Sequence, residues 1–359
     1  MPEVGSAQTA TSAALTGISP LKALTYLRAG AEERGLTFEE IDSTLWRCWA
    51  QLGNIEIILG NEIATVRVIA ESADRLQTLR DLIVQRIAAL HPDLARSLVW
   101  SGGAASGVRP PNFRLVRVVE TARIARSFVR VQLAGEKLEN FARTALHFRL
   151  LLPAAGATQI EWPTVGANGQ TLWPEGELTL HRPVYTIRNI DAAAGYFDVD
   201  IFLHEGGRAT EWVLAAVPGD EVGIMGPGGG WYPDAGWLLL AGDETALPAI
   251  ARILEGVPAN VAGVAYIQVA SPADRVDLAK PPGFEVNWLY RSNAAVTLSE
   301  KVLATPIPDR PDRFVWFGGE WEEAKLLRQH FRDAGKLDRS QFRIATYWTA
   351  SSAEDQSAL

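Results

Sequence analysis

The sequence predicts a multidomain protein with a small N-terminal α+β domain, an antiparallel β-barrel and an α/β domain built on a parallel sheet. The chain has 359 residues, which is too long for one hydrophobic core and favours two or three domains. Short β runs separated by turns fill its middle part, as in a small antiparallel barrel. Beyond residue 235 apolar β runs alternate with helical runs, which indicates a parallel sheet covered by helices.

The N-terminal domain is expected over residues 18–99. Its first helix should begin at Pro20 with Ser19 as the N-cap, because proline is favoured at the first helical position. Three β runs follow, and Gly60-Asn61 between the last two is typical of a hairpin turn. A second helix then carries apolar residues at helical spacing: Leu76, Leu79, Ile83, Ile87 and Leu90.

Composition marks the other boundaries. Residues 100–112 are rich in glycine, serine and proline and are predicted to be a linker. The barrel is expected over 113–234 and the parallel-sheet domain over 235–348. We expect a disordered tail over 1–17, which has neither the basic start nor the apolar core of a signal peptide, and a C-terminal tail over 349–359.

Charge and cysteine content restrict the classes of function. The net charge of −8 argues against nucleic-acid binding, so an anionic partner needs a local basic pocket. The single cysteine, Cys48, excludes an intramolecular disulfide, a cysteine-based zinc site and a cysteine-ligated iron–sulfur cluster. The five histidines are scattered and do not resemble a metal site. No apolar run is long enough to span a membrane, and we expect a cytoplasmic protein without membrane insertion.

The stretch HRPVYTIR, residues 181–188, is a candidate cofactor strand. Alternate residues of a strand share a face, so Arg182 and Thr186 should lie together while Tyr185 faces the other way. A flavin dinucleotide needs an apolar platform for its ring and cationic or hydroxyl donors for its pyrophosphate, and these three residues supply both. An ordinary exposed barrel strand is the alternative, because the pattern is short.

The stretch FLHEGGRATEW, residues 202–212, pairs two glycines with the start of a short helix. Thr210 near this helix N-terminus, among free backbone amides, favours a phosphate site. A capped helix after a hairpin explains the same residues equally well, and His204 alone is typical of a structural histidine.

Three oxygen-bearing residues, Asp243, Glu244 and Thr245, follow the apolar strand Trp237–Leu240. Open α/β sheets bind ligands at the carboxyl ends of their strands, so these residues are candidates for ligand binding. The following helix should have Asp243 or Thr245 as its cap and Pro248 in its first turn. The alternative is capping alone, which accounts for one oxygen but not for three. No G-x-G-x-x-G motif follows this strand.

Four motifs in a fixed order carry a family resemblance over residues 113–348. The series R-P-x-Y-T-x-R, H-x-x-G-x-A-[ST]-x-W, G-D-E-x-G-I-M-G-P-G-G and G-D-E-T-A-L-P-A-I resembles the siderophore-interacting protein family, the FAD-dependent ferric-siderophore reductases. The resemblance implies a ferredoxin-reductase-like layout in which the barrel binds FAD and the α/β domain binds NAD(P)H. The N-terminal domain resembles a small α+β domain of unknown function that accompanies such proteins.

The resemblance also assigns roles to residues. It implies that Arg182, Tyr185 and Thr186 hold the isoalloxazine and pyrophosphate of FAD. It implies that the segment formed by Asp243, Glu244, Thr245 and Ala246 faces the flavin and the nicotinamide. Gly319 and Glu320 resemble the NAD(P)H-side loop, for which a plain strand–helix connection is the alternative. The second FAD segment would consist of His204, Ala209, Thr210 and Trp212.

The implied reaction passes electrons from NAD(P)H through the flavin to a ferric siderophore, releasing Fe(II), which oxygen chelators hold less tightly. Arg149 stands where family members carry a lysine and is the first substrate-binding candidate, with an ordinary barrel-surface residue as the alternative. Lys325 and Arg328 are further candidates, with solvated helix charges as the alternative. Gly228 and the residue after Tyr-Trp lack the basic side chains of other members, which favours a less anionic chelate. Arg208 also replaces the proline usual in its segment, and it either adds local charge or is solvated.

Two other functions stay open at this point. One is a flavin reductase for another acceptor, or one that takes its electrons from a ferredoxin. The other is a non-catalytic protein that keeps the fold to bind a ferric siderophore. The second is disfavoured because a chelate binder does not need the flavin-binding residues.

Overall fold

The computed structural model of the chain describes residues 9–32, 36–50, 52–89, 91–102, 106–143, 145–230, 232–293, 296–333 and 337–350. The chain divides into two compact units. The first unit comprises Met1–Arg114, Pro153–Leu180 and Gly223–Gly228. The second comprises Leu115–Leu152, His181–Val222 and Gly229–Leu359.

The predicted helices and strands occur in the predicted order, together with several short elements that were not predicted. The described helices are α1 (Pro20–Glu32), α2 (Ala73–Ala88), α3 (Pro92–Ser97), α4 (Glu139–Arg143), α5 (Arg208–Ala215), α6 (Leu247–Gly256), α7 (Leu298–Ala304) and α8 (Trp321–Asp333). The described strands are β1 (Thr9–Leu15), β2 (Phe38–Glu40), β3 (Leu45–Ala50), β4 (Gly53–Leu59), β5 (Ala64–Ala70), β6 (Phe113–Ala125), β7 (Phe128–Ala134), β8 (His147–Leu151), β9 (Thr164–Val165), β10 (Thr171–Leu172), β11 (Val184–Thr186), β12 (Asn189–Asp191), β13 (Tyr196–Phe202), β14 (Glu221–Gly228), β15 (Trp237–Gly242), β16 (Ala262–Val269), β17 (Phe284–Tyr290), β18 (Arg313–Glu320) and β19 (Phe342–Trp348).

The first unit is built on an antiparallel sheet in the order β1-β5-β4-β3-β2. Its core joins the apolar face of this sheet to α1 and α2, with Ile57, Val66 and Val68 fully buried. Alternation along β5 explains the layer, because every second residue faces the helices. The predicted start of α1 at Pro20 and the hairpin between β4 and β5 are both confirmed.

The expected disordered tail over residues 1–17 is wrong for the part that forms β1. This strand pairs with β5 from Thr9 opposite Ala70 to Leu15 opposite Ala64, and Leu15 is buried. Its small residues give a weak hydrophobic pattern, but the edge of β5 supplies hydrogen-bond partners that the local sequence does not reveal. Residues 1–8, like 351–359 of the expected C-terminal tail, lie outside the described residues.

The stretch predicted as a linker, 100–112, is held in place at both ends. Trp100 is 3% exposed in the core of the first unit, and the hydroxyl of Thr11 donates to the carbonyl of Ser101 at 2.7 Å. Asn112 is buried as well. The composition of a flexible linker therefore did not reveal the tertiary contacts, and residues 103–105 lie outside the described part.

The barrel sheet has the order β11-β8-β14-β6-β7-β13-β12. The predicted cofactor strand HRPVYTIR forms β11 only over Val184–Thr186, and the chain then enters β12 because its backbone changes partner. The amide of Ile187 donates to Leu146 next to β8, whereas the amide of Arg188 donates to Asp198 of β13. This change of partner brings the two ends of the sheet together, as a barrel requires.

The α/β domain has a parallel sheet in the order β17-β16-β15-β18-β19. Successive residues of the central strand β15 face opposite layers. Leu238 and Leu240 pack with α6, while Leu239 and Ala241 pack with α7 and α8. The predicted doubly covered parallel sheet is therefore present.

No helix among the described residues has both the length and the apolar character that crossing a bilayer requires.

Asp81 on α2 is an acidic side chain held inside the first unit. Its carboxylate accepts hydrogen bonds from the hydroxyl of Thr171 at 2.8 Å and from the amide groups of Gln77 at 3.0 Å and Asn112 at 3.3 Å. Burial nevertheless raises the pKa of Asp81 from 3.8 to about 6, because desolvation outweighs these hydrogen bonds.

We expect the free energy of unfolding to fall by about 3 kcal/mol as the pH rises from about 3 to about 7, because across this range the folded protein retains a proton on Asp81 that the unfolded chain releases earlier. Urea unfolding at several pH values across this window measures the effect. The Asp81→Asn variant removes the titrating group, so its pH dependence should be shallower than that of the wild type. Equal slopes in the two proteins would contradict the assignment.

Candidate cofactor-binding site

The predicted cofactor strand β11 pairs antiparallel with β8 in the second unit. Val184 lies opposite Arg149, Tyr185 opposite Phe148, and Thr186 opposite His147. Directly opposed residues share a face, so Arg149, His147 and Thr186 lie on one side of the pair and Tyr185 on the other. Thr186 is buried, whereas Tyr185 is half-buried and burial raises its pKa.

Basic groups converge at the start of β11. Arg182 is exposed, and Nη1 of Arg149 donates to its carbonyl at 3.3 Å. Burial lowers the pKa of the neighbouring His181, and the positive charge of Arg208 lowers it further. Arg208 is the first residue of α5, so the start of this helix carries a charge that acts on His181 at the start of the β11 segment. Three arginine side chains therefore contribute positive charge to this edge of the barrel.

The α5 segment holds the second set of predicted residues. The helix begins after Gly207 without a side-chain cap, and Ala209 is buried against the barrel. The hydroxyl oxygen of Thr210 accepts the amide proton of His204 at 3.1 Å, which closes the preceding turn. The first amides of a helix point along its axis and attract anions. Trp212 is half-buried.

The His204 ring is exposed and lies over Phe202, with ring centroids 6.0 Å apart. Its Nδ1 lies 3.3 Å from the carbonyl of Glu205. These contacts fit the structural interpretation of His204 as well as a place in the cofactor segment.

The carboxyl edge of the parallel sheet carries the next group. Asp243 and Glu244 are each 2% exposed, and Glu244 pairs with Arg291. The carboxylate of Asp243 accepts from the amide of Thr245 at 2.9 Å and from its hydroxyl at 2.5 Å. Ala246 is fully buried. The sheet thus brings these four residues together, but the side-chain oxygens bind protein groups.

The expectation that Asp243 or Thr245 caps α6 through its side chain is wrong. The helix begins at Leu247, and its N-cap Ala246 provides no side-chain cap. The backbone carbonyl of Asp243 accepts the amides of Ala246 and Leu247 instead, at 3.1 and 3.0 Å. The carboxylate is not available for capping because it is bound inside the turn. Pro248 lies in the first turn, as predicted.

Gly319 and Glu320 end β18 on the same edge. The carboxylate of Glu320 accepts the amides of Glu322 at 2.5 Å and Glu323 at 3.4 Å, so it caps α8. Its other oxygen accepts the amide of Ala350 at 3.1 Å. Glu320 therefore holds the start of α8 and the chain after β19 together.

The two predicted substrate residues on α8 have protein partners. The Nζ of Lys325 lies 4.5 Å from the ring centroid of Trp321. Arg328 donates to the carbonyl of Ile344 at 3.1 Å and to the hydroxyl of Thr346 at 3.2 Å. Lys325 is exposed, whereas Arg328 is bound to β19, so Lys325 is the more accessible of the two.

Two side chains that the sequence analysis did not single out join these segments. The hydroxyl of Tyr347 lies 2.8 Å from Nε2 of His147, and the indole N–H of Trp348 donates to Asp243 at 2.6 Å. Burial, with the charges of Arg343 and Arg252, lowers the pKa of His147 to about 3. The Tyr-Trp pair was visible in the sequence, but its partners are distant in the chain and no spacing rule relates them.

An ion pair also connects the cofactor strand to the α/β domain. Arg188 follows β11, and its guanidinium binds both oxygens of Glu255 at the end of α6, at 2.5 and 2.6 Å. Asp200 lies 3.7 Å from the same guanidinium and forms a bidentate pair with Arg130. Bidentate arginine–carboxylate pairs fix orientation as well as distance.

The barrel has a basic edge at a helix start, and the parallel sheet that follows has polar groups at its carboxyl edge. This is the layout of the ferredoxin-reductase-like class of flavoproteins. Models of protein families match the chain in two places. The siderophore-interacting FAD-binding domain matches residues 117–231, and the siderophore-interacting protein family matches residues 235–351.

Named relatives and solved structures agree with these matches. The NADPH-dependent ferric-chelate reductase of Escherichia coli strain K12 is 32% identical over 250 residues, covering 66% of this chain and 93% of that protein. The ferric vibriobactin reductase ViuB of Vibrio cholerae is 29% identical over 256 residues, covering 67% and 91%. A siderophore utilization protein from T. fusca has a TM-score of 0.60 at 32% identity, covering 69% and 97%. The siderophore-interacting protein SipS from Aeromonas hydrophila has a TM-score of 0.55 at 27% identity, covering 66% and 98%.

The chain therefore belongs to the siderophore-interacting protein family.

The donors at the barrel edge fit FAD. An exposed arginine, a buried threonine hydroxyl and helix-start amides without a side-chain cap are the groups that a pyrophosphate requires. We expect Arg182→Ala to weaken FAD binding about 10- to 100-fold, because a hydrogen bond to a charged group contributes about 1.5–3 kcal/mol. Flavin fluorescence titration measures the affinity.

The matched control is Arg117→Ala, which removes an exposed barrel arginine that pairs with Glu221. This variant should bind FAD as the wild type does. Full flavin occupancy in Arg182→Ala after extensive dialysis would remove Arg182 from the site.

Proposed function

We propose that the protein is an FAD-dependent oxidoreductase that uses NAD(P)H to reduce ferric siderophores and release Fe(II). Its place in a family that includes a siderophore-interacting FAD-binding domain carries the proposal. The names of two relatives support the same chemistry, since one is a ferric vibriobactin reductase and the other an NADPH-dependent ferric-chelate reductase.

The residues that would hold FAD are Arg182, Tyr185 and Thr186 on the β11 segment and Ala209 and Thr210 on α5. When bound, FAD supplies the chemistry that links a two-electron hydride donor to the one-electron reduction of Fe(III). The chain itself supplies positive potential and backbone amides for the anionic part of the cofactor. The half-buried Tyr185 provides an apolar surface beside it.

The carboxyl edge of the parallel sheet would receive the nicotinamide dinucleotide. Asp243, Glu244 and Thr245 keep the chain after β15 fixed through their bonds to one another and to Arg291. Glu320 fixes the start of α8 on the same edge. A rigid edge holds a donor in one orientation, which lowers the entropic cost of the reaction.

NADPH is the electron donor we favour, because the Escherichia coli relative is named for it. A ferredoxin is the alternative donor. We further propose a cytoplasmic location, which the single cysteine and the use of a cytosolic nucleotide favour.

Arg149 is the residue we propose to meet the substrate, since it lies on the same face as Thr186 next to β11. Its charge would attract an anionic ferric chelate. We expect Arg149→Gln to raise the KM for an anionic ferric tricatecholate about tenfold and to leave the KM for a neutral ferric trihydroxamate nearly unchanged. An equal change for both chelates would contradict a charge-based role, and Arg117→Ala is the control variant.

Anaerobic visible spectroscopy of the FAD-loaded full-length protein tests the function itself. We expect the flavin bands to bleach on addition of NADPH and to return on addition of a ferric siderophore, with one Fe(II) captured by ferrozine for each electron delivered. Bleaching only by a reduced ferredoxin would identify the alternative donor. Return of the bands with cytochrome c but not with ferric chelates would identify another acceptor. A protein that takes up no flavin would favour a siderophore-binding role.

A further inference from the structure

The end of β19 contains a one-residue bulge. Gly319 pairs with Thr346, but the next residue of β18, Glu320, pairs with Trp348, so Tyr347 is an extra residue without a partner in the register. A bulge redirects the side chains around it, and bulges are common beside functional sites. Here the bulge is at the carboxyl edge, where the sheet would receive its ligand.

The first consequence is that Trp348 reaches across β18. Its indole N–H donates to Asp243 at 2.6 Å, although Asp243 follows β15 and β18 lies between the two strands. Glycines provide the space. A Cβ on Gly318 would lie 3.1 Å from the Tyr347 ring, and one on Gly319 would lie 3.1 Å from the Phe317 ring. The Gly-Gly pair thus lets aromatic side chains lie over the end of β18.

The second consequence is that Tyr347 contacts the barrel. Its hydroxyl lies 2.8 Å from Nε2 of His147, the β8 residue opposite Thr186. Burial raises the pKa of Tyr347, and the pKa of His147 is lowered to about 3. Both rings are therefore neutral near pH 7, and the contact is a neutral hydrogen bond rather than an ion pair.

We propose that Tyr347 and Trp348 are positioning residues that hold the flavin-side strand β8 and the nicotinamide-side turn after β15 in one fixed arrangement. The inference rests on the proposed function for the meaning of the two sides. Neither polar atom is aimed at a ligand, because each binds a protein group: Tyr347 binds His147, and Trp348 binds Asp243. Tyr347 and Trp348 therefore act on the reaction indirectly, by fixing the positions of His147 and Asp243.

A positioning role predicts a change that is visible without turnover. In wild-type protein the amide of Thr245 donates to Asp243, whose other oxygen is bound by Trp348. Removing the indole N–H in Trp348→Phe should loosen this turn, so we expect the amides of residues 245–247 to exchange with deuterium at least tenfold faster. Hydrogen exchange of the full-length purified protein measures this, and Trp288→Phe, a half-buried tryptophan of the edge strand β17, is the matched control.

The Trp348→Phe variant should change the rate of flavin reduction much more than the affinity for the nicotinamide nucleotide. We expect the rate of flavin reduction at saturating NADPH to fall about 10- to 100-fold, because misplacement of reacting groups by about 1 Å costs that much. The Kd for NADP⁺ should change less than threefold. Tyr347→Phe should also slow flavin reduction without shifting its pH profile, whereas Tyr266→Phe, which removes a hydroxyl bound to Thr305 in the same sheet, should not.

Unchanged exchange at 245–247 in Trp348→Phe would overturn the inference, as would unchanged flavin reduction in both variants. If Trp348→Phe does not fold, Asp243→Asn weakens the same contact from the other side and gives the same two readouts. Failure of the proposed function appears differently, since wild-type flavin would then not be reduced by NADPH at all. The exchange comparison still decides the inference in that case.

Discussion

The buried carboxylate of Asp243 is the contact on which the arrangement of the sheet edge depends. It is 2% exposed, and both of its oxygens bind donors, one from Thr245 and one from Trp348. A buried carboxylate is costly unless its hydrogen bonds are made, so the turn after β15 and the end of β19 are fixed together. The same sheet edge contains three further features: the Gly318–Gly319 pair, the bulge at Tyr347 and the capping of α8 by Glu320.

Charge is distributed in a way that the net value of −8 does not show. The edge of the barrel near β11 carries Arg149, Arg182 and Arg208, and burial together with the charge of Arg208 lowers the pKa of the nearby His181. Burial, together with the charges of Arg343 and Arg252, keeps His147 neutral. An acidic protein can thus present a positive edge to an anionic cofactor, because electrostatic attraction at short range depends on nearby groups rather than on the total charge.

The N-terminal part of the chain has a core of its own. Both family matches begin after it, at residues 117 and 235. Its sheet and helices bury a continuous apolar layer, including Leu15, Leu79 and Trp100. The structure therefore explains how this part folds, while the chemistry proposed for the protein rests on residues of the second unit.

The sequence by itself determined most of the element types, their order within the barrel and the parallel sheet, and the segments of the candidate site. Periodicity predicted the barrel strands and the parallel sheet, and the ordered motifs predicted Arg182, Thr186, Thr210 and Asp243, because these signals are local in the chain. Only the tertiary structure decided which partners these residues have. Residues far apart in sequence meet in three places: the pairing of β1 with β5, the partner change between β11 and β12, and the contacts of Tyr347 and Trp348. Such contacts depend on packing and desolvation, which no local pattern encodes.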